Sequence, residues 1–238
     1  MLTIQYGPAP EQVADLLVPD GPGPHPIVAL WHGGSYAAEY GRDMLAPAAA
    51  DLCSRGFAAL NATYRRVGSG GGWPETFDDA RAALDALTGL DPALDLGDVT
   101  ALGFSAGAPL ALRVARRPGA VRPRRVLNIA GVSMVEVAAR AGGPGSSVHE
   151  LLGDPDVERE AFDGADPAGD LPLGVASLHV HGSDDTHVPV AMTQAFVAAA
   201  RAAGDLDAEL VVVEGAGHFD VHEPGTEGWA AVVAWLLR

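Results

Sequence analysis

Cysteine, lysine and long apolar runs are scarce or missing in this sequence. The 238 residues include one cysteine, Cys53, so no disulfide can form within the chain. No apolar run reaches the length needed to span a bilayer, and Met1–Pro10 lacks the basic and apolar stretches of a signal peptide. We therefore expect a cytoplasmic protein that has no membrane partner.

Basic residues are scarce as well. All 15 of them are arginine, against 31 aspartate and glutamate residues, which gives a formal net charge of −16 at pH 7. Such a field repels polyanions, so nucleic acid is not an expected partner. No histidine or cysteine cluster has metal-ligand spacing, and no phosphate-binding loop is present. We expect a small-molecule partner and neither a metal nor another cofactor.

Short apolar runs alternate with segments of helical spacing, and 48% of the residues are hydrophobic. This alternation is typical of an α/β fold in which helices cover both faces of a mostly parallel sheet. The predicted parallel strands are Ile27–Trp31, Phe57–Asn61, Val99–Gly103, Arg125–Ile129, Ser177–His181 and Glu209–Val213. The predicted helices are about Met44–Ser54, Thr76–Thr88, Ala106–Ala115, Val190–Ala203 and Glu227–Leu237. Two short strands near the start, in "LTIQYG" and "QVADLLVPD", are expected to add an antiparallel edge.

The segment Val132–Asp170 breaks this alternation. It contains "GGPGSS", "GDPDVE" and "DPAGD" and only short helical pieces. Because it is too small to bury a core of its own, we interpret it as a small lid above the sheet. The prediction is a single domain over residues 1–238.

The motif Gly103-Phe104-Ser105-Ala106-Gly107 lies directly after a predicted strand and directly before a predicted helix. This is the position of a serine nucleophile on a sharp strand-to-helix turn, where the flanking positions must be small. Ser105 is therefore the candidate nucleophile. A packing turn rich in glycine is the alternative interpretation.

A serine hydroxyl needs a base, and the base needs an acid to orient it. In this topology the acid follows a late strand and the histidine comes last in the chain. His218, in "VVVEGAGHFD", follows the last predicted strand and precedes the last helix, with His222 as its competitor. The acid comes from "HGSDDTHVP", where spacing alone does not separate Asp184 from Asp185.

Five motifs in this order resemble those of the α/β-hydrolase superfamily, in particular its small esterases and arylformamidase-like serine hydrolases. The resemblance covers nearly the whole chain and rests on His32-Gly33-Gly34, "NATYRR", "GFSAG", "HGSDDTHVP" and "GAGHF". The family pattern H-G-x-x-D-x-x-V-P places its aspartate at Asp185 and therefore favours Asp185 over Asp184.

The resemblance also implies an oxyanion hole. In related esterases the donors are the backbone N–H groups two and three positions after the histidine, here Gly34 and Ser35. Ser35 stands where a glycine is common in those esterases. A further donor is expected at Ala106, the residue after the nucleophile. His32 itself is expected to hold the loop by hydrogen bonding, without transferring protons.

Three aromatic residues near these loops, Tyr36, Trp73 and Phe104, are candidates to line the substrate pocket. His181 is expected to fix the turn that follows it, and His187 to be exposed to solvent. The short lid predicts a fairly open pocket for small acyl groups.

The expected activity is hydrolysis of small carboxylic esters through a Ser-His-Asp triad and an acyl-enzyme. The resemblance supplies an aryl-formamidase acting on N-formylkynurenine-type amides as the alternative. A ligand-binding protein of the same fold, without catalysis, is the alternative from another class.

Overall fold

A twisted sheet of eight strands forms the centre of the computed structural model, which describes residues 1–238. The strands are β1 (Leu2–Gln5), β2 (Val13–Leu17), β3 (His25–Trp31), β4 (Ala58–Ala62), β5 (Leu94–Phe104), β6 (Arg125–Ile129), β7 (Ala176–Gly182) and β8 (Ala208–Val213). Their order across the sheet is β1-β2-β4-β3-β5-β6-β7-β8. β2 is antiparallel to both of its neighbours, β1 and β4, and every other adjacent pair is parallel. The predicted α/β-hydrolase fold and its antiparallel edge are confirmed.

Eight helices connect and cover the strands. They are α1 (Ala46–Ser54), α2 (Glu75–Asp85), α3 (Ala108–Arg116), α4 (Val135–Gly142), α5 (Ser147–Leu152), α6 (Arg159–Ala165), α7 (Val190–Ala203) and α8 (Glu227–Leu236). Short 3₁₀ turns occupy Arg42–Leu45, Ser105–Gly107 and Pro167–Asp170. None of these helices has both the length and the apolarity needed to cross a bilayer.

The pleat of β3 divides its apolar side chains between two cores. Ile27, Ala29 and Trp31 pack on the face covered by α2 and α3, whereas Val28 and Leu30 pack on the face covered by α1 and α8. A strand buried on both faces must be apolar at every position, which explains why "IVALW" is a continuous apolar run without alternation.

Most element boundaries differ from the prediction by a few residues, and two of these differences have identifiable reasons. β5 begins at Leu94, five residues before the predicted start, because His25 and Pro26 of β3 pair with Leu94 and Asp95 ahead of a bulge. Helix α3 begins at Ala108, after the predicted Ala106, because Ser105–Gly107 forms a tighter 3₁₀ turn first.

The segment predicted as a lid, residues 132–170, contains α4, α5, α6 and the last 3₁₀ turn. Its buried side chains, among them Val135, Val148 and Phe162, belong to the same core as the sheet residues that face α2 and α3. The insertion therefore adds a layer to that side of the sheet and does not form a separate core.

Two buried histidines make the stability of this fold sensitive to acid. His179 of β7 lies fully buried beside Asn128 and Ser177, and burial lowers its pKa to about 3. His32, at the end of β3, is also fully buried, and burial lowers its pKa to about 4. Both side chains are therefore neutral in the folded protein and gain a proton more easily when the chain unfolds.

We expect the free energy of unfolding to fall by about 2–3 kcal/mol when the pH is lowered from about 7.5 to 5.5. The reason is that His32 and His179 take up protons near pH 6.5 in the unfolded chain but stay neutral over this range in the folded protein. Urea denaturation at the two pH values measures this difference. His179→Gln should remove about half of the pH dependence, whatever it does to stability at pH 7.5. An unchanged free energy of unfolding in the wild type over this range would contradict the neutral burial of these histidines.

Candidate active site

Ser105 lies on the turn between β5 and α3 with a backbone φ of 53°, in the left-handed region that non-glycine residues rarely adopt. The two glycines of the motif make this turn possible. A Cβ on Gly103 would overlap the backbone of Ala108, and a Cβ on Gly107 would overlap the carbonyl oxygen of Trp31. The Gly-x-Ser-x-Gly spacing therefore follows from backbone contact on both sides of the serine.

Three side chains that are far apart in the chain meet at this turn. The Oγ of Ser105 lies 2.9 Å from Nε2 of His218, and Nδ1 of His218 lies 2.7 Å from Oδ2 of Asp185. Ser105 and His218 are 8% and 5% exposed, so the serine–histidine contact is shielded but reachable. The arrangement matches a serine nucleophile, a histidine base and an orienting carboxylate.

The carboxylate of Asp185 has a partner on each side. Its Oδ1 accepts hydrogen bonds from the backbone N–H groups of His187 and Val188, both at 2.8 Å, and its Oδ2 also lies 3.0 Å from Nε2 of His181. Burial favours the protonated form, but the hydrogen bonds from His181 and His218 outweigh it and hold the pKa of Asp185 well below its usual range. The carboxylate of Asp185 that contacts His218 is therefore ionised.

Asp184, the alternative acid, points elsewhere. It is exposed, and its carboxylate accepts a hydrogen bond from the hydroxyl of the adjacent Ser183 at 2.9 Å. The structure thus places Asp185 beside His218, as the family pattern favours.

His181 anchors the loop that carries Asp185. It is fully buried, with Nε2 lying 2.8 Å from the carbonyl oxygen of Val188 and Nδ1 lying 2.8 Å from the hydroxyl of Thr193. Because a carbonyl oxygen only accepts, Nε2 carries the proton and Nδ1 accepts from the threonine. The same Nε2–H faces Asp185, so one imidazole fixes the loop and supports the acid.

His222, the competing base, is a packing residue. Its ring stacks on Phe104 with 4.0 Å between centroids and an angle of 12° between planes, and it makes no hydrogen bond to Ser105 or Asp185. Burial lowers the pKa of His222, which favours the neutral ring in this apolar contact.

The loop after β3 presses against the nucleophile. A Cβ on Gly33 would lie 2.8 Å from Cβ of Ser105, so this position has no room for a side chain. The next three residues, Gly34, Ser35 and Tyr36, all have positive φ values, of 100°, 53° and 58°. These residues form a tight turn that is closed by a hydrogen bond of 2.9 Å from the Ala37 N–H to the carbonyl oxygen of Gly34.

The predicted oxyanion donors lie around the same space. Neither the N–H of Gly34 nor that of Ser35 donates a hydrogen bond within the protein. Both residues line one cavity together with Ser105 and Ala106. Their backbone groups are therefore available to a bound oxyanion.

His32 holds this loop, as expected from the sequence. Its Nδ1 lies 2.7 Å from the carbonyl oxygen of Gly33, and its ring stacks on Tyr64 at 4.6 Å. The Tyr64 hydroxyl in turn donates to the carbonyl oxygen of His32 at 2.7 Å. The depressed pKa keeps this imidazole neutral, so it serves as a brace.

A cavity of about 930 Å³ opens above Ser105. Tyr36 and Phe104 line it, but the third aromatic candidate, Trp73, does not. The indole of Trp73 packs 5.4 Å from Phe77 and 5.0 Å beneath the guanidinium of Arg113, in the layer between the sheet and the insertion. Trp73 directly follows the glycine-rich stretch Gly68–Gly72, and this position in the sequence does not reveal on which side of the loop the ring lies.

Much of the cavity wall was not apparent from the sequence. The insertion contributes Val132, Met134, Val137, Ala138, Ala141, Gly142, Ser146, Ser147 and Val148, and α7 contributes Ala191, Met192 and Ala195. His187 also lines the cavity and stacks on His218 with 4.9 Å between ring centroids. No pattern in the sequence distinguishes these positions from other residues of the same segments, and only the packing of the folded chain identifies them.

Asp185, His187 and His218 have potential metal-ligand atoms within 4.8 Å of one another. The carboxylate of Asp185 is already hydrogen-bonded to His218, and the other ring nitrogen of His218 is hydrogen-bonded to Ser105. Binding a metal here would therefore break the chain of contacts from Asp185 to Ser105.

A serine on the turn between a central strand and a helix, in a mostly parallel eight-stranded sheet, is the arrangement of an α/β-hydrolase. The chain belongs to the prolyl oligopeptidase family, whose sequence pattern matches residues 50–238, and it is a serine hydrolase. No curated protein sequence matches it.

Several solved structures share the fold. A bifunctional GH43-CE protein of Bacteroides eggerthii is 22% identical with a TM-score of 0.83, and the match covers 99% of this chain but 37% of that longer one. A truncated carbohydrate esterase from gut microbiota is 18% identical with a TM-score of 0.82, covering 100% of this chain and 95% of the other. Esterase 2 of Thermogutta terrifontis with butyrate bound is 20% identical with a TM-score of 0.76, covering 98% and 91%.

Two neighbouring aspartates provide a matched test of this geometry. Asp185→Asn should lower kcat by about 10³–10⁴-fold, because the amide cannot hold His218 in the required tautomer or stabilise its charged form. Asp184→Asn, one residue away on the exposed side, should change kcat less than about twofold. Steady-state kinetics on any turned-over ester measures both. Equal effects of the two substitutions would show that Asp185 is not the orienting acid.

Proposed function

We propose that this protein hydrolyses carboxylic esters through Ser105, His218 and Asp185. One observation carries the proposal: the hydrogen bonds that run from Asp185 through His218 to Ser105 end at a cavity whose lining contains no Asp, Glu, Arg or Lys. An activated serine beside an uncharged apolar cavity suits a neutral substrate with an electrophilic carbonyl.

The proposed reaction begins when Ser105 Oγ attacks the carbonyl carbon and His218 Nε2 accepts its proton. The backbone N–H groups of Gly34, Ser35 and Ala106 then hold the oxyanion, which stabilises the transition state by several kcal/mol. Asp185 stabilises the charged imidazole. The bond between the carbonyl carbon and the alkoxide oxygen then breaks as His218 protonates that oxygen, so the alcohol departs and the acyl group remains on Ser105 Oγ.

A water molecule completes the cycle. It attacks the acyl carbon while His218 takes its proton, and the second tetrahedral intermediate collapses when that proton returns to Ser105 Oγ. The carboxylic acid is released and the serine is restored. Each residue thus ends in its starting state.

Carboxylic esters are the first candidate substrates. The similar esterase 2 of Thermogutta terrifontis was solved with propionate and with butyrate bound, which supports a carboxylic acyl group here. The carbohydrate esterases of the same fold support an ester in place of a peptide. A peptide would also bring charged groups for which the cavity offers no charged partner.

An aryl formamide is the second candidate, favoured by the aromatic residues Tyr36, Tyr40, Phe104 and Phe219 that line the cavity. An N-formylkynurenine-type amide also carries an amino-acid group with two charges, and the cavity has no charged side chain to pair with it. The ester is therefore the better match.

Turnover of p-nitrophenyl butyrate should exceed that of N-formylkynurenine by at least about tenfold in kcat/KM, because the charged amino acid would be desolvated without a partner. Parallel assays with the same enzyme preparation measure the ratio. A higher kcat/KM for the formamide would replace the ester proposal with the amidase.

Active-site labelling tests whether Ser105 is activated at all. A fluorophosphonate probe should label the wild type at one probe per chain and leave Ser105→Ala unlabelled, since the probe needs an activated serine hydroxyl. Intact mass gives the stoichiometry, and circular dichroism verifies that both proteins are folded. Absence of label on the folded wild type would refute the triad and favour a ligand-binding protein without catalysis.

A further inference from the structure

We infer that the cavity selects uncharged esters with a bulky alkyl or aryl group and discriminates against acylated sugars. The inference rests on the proposed ester hydrolysis and extends it to the class of substrate. The inference depends on the side chains of this cavity and not on the fold. The carbohydrate esterases of the same fold therefore do not imply a sugar substrate for this chain.

The charge of the lining is the first observation. Charged residues make up 19% of the chain, yet none of the 25 lining residues is Asp, Glu, Arg or Lys, and 16 of them are hydrophobic. Charged and amide side chains supply the strongest hydrogen bonds to sugar hydroxyls. The lining also contains no Asn or Gln, so beyond the triad its side chains offer a sugar a few serine and tyrosine hydroxyls and the imidazole of His187.

The methionines are the second observation. The chain has four, and every one except Met1 lines the cavity. Met44 comes from the 3₁₀ turn before α1, Met134 from the start of the insertion and Met192 from α7. Methionine is flexible and polarisable, so it fits apolar ligands of different shapes. Three such side chains from three separate parts of the chain form an adaptable apolar wall.

The rim of the cavity is the third observation. Tyr40, Val137 and Phe219 line the cavity and are 45%, 47% and 49% exposed. Covering such side chains with an alkyl or aryl group removes apolar surface from water and favours binding. A sugar in the same place would lose hydration of its hydroxyls without gaining equal partners.

The size of the cavity favours a bulkier substrate than the small acyl groups expected from the sequence. Its volume of about 930 Å³ lies near the upper end of the range of about 300–1,000 Å³ for pockets that enclose drug-sized ligands. An ester with two short chains would leave much of this apolar wall in contact with water.

Two matched pairs of substrates test the inference. The kcat/KM for p-nitrophenyl octanoate should exceed that for p-nitrophenyl acetate by at least about tenfold, since each fully buried CH₂ contributes about fourfold. The kcat/KM for cyclohexyl acetate should exceed that for a monoacetylated methyl xyloside by at least about tenfold. Both are acetates of ring alcohols, and only the xyloside has free hydroxyls that would lose water without gaining equal partners.

A pair of variants tests the wall itself. Val137→Asp places a charge at the rim and should lower the ratio of octanoate to acetate kcat/KM by about tenfold or more. Val157→Asp is the control, because Val157 is an exposed valine of the same insertion that does not line the cavity. This control should leave the ratio at its wild-type value.

The possible outcomes separate the inference from the proposed function. Octanoate no better than acetate, or the acetylated xyloside preferred to cyclohexyl acetate, would overturn the inference while ester hydrolysis stands. An equal fall of the ratio in Val137→Asp and Val157→Asp would overturn the role of the cavity wall. Fluorophosphonate labelling without turnover of any ester would instead refute the proposed function.

Discussion

Backbone contact around the nucleophile is the constraint on which the rest of the site depends. Gly107 lies against the carbonyl end of β3, Gly103 lies against the start of α3, and Gly33 faces Cβ of Ser105. A side chain at any of these positions would push apart the end of β3, the end of β5 and the start of α3. Because these three positions carry no side chain, Ser105 can adopt its left-handed conformation, and the loop after β3, with its free N–H groups, can pack against it.

Sheet order then brings the other partners to the same edge. Ser105 follows β5, Asp185 follows β7 and His218 follows β8, and the carboxyl ends of these parallel strands point the same way. Because β7 and β8 are adjacent, their loops meet without any long connection. Residues separated by 113 positions in the chain, Ser105 and His218, thereby share a hydrogen bond.

The fold and the position of the nucleophile could be predicted because they depend on local patterns. β6 and α7 appear at the predicted residues, since apolar periodicity and flanking turns determine both. Asp185 could not be separated from Asp184 by spacing, because the choice depends on which carboxylate the turn directs toward His218. For a similar reason, the sequence could not predict that the three methionines line the cavity and that Trp73 does not. The packing of the folded chain, and not any local pattern, decides which side chains face the cavity.

An uncharged cavity in an acidic chain has a consequence for the release of products. Ester hydrolysis converts a neutral molecule into a carboxylate, which apolar walls solvate poorly. The net charge of −16 repels that anion once it reaches the opening. A neutral ester feels no such force on its way in. In the proposed reaction, the surface charge therefore favours departure of the carboxylate product and leaves entry of the neutral ester unaffected.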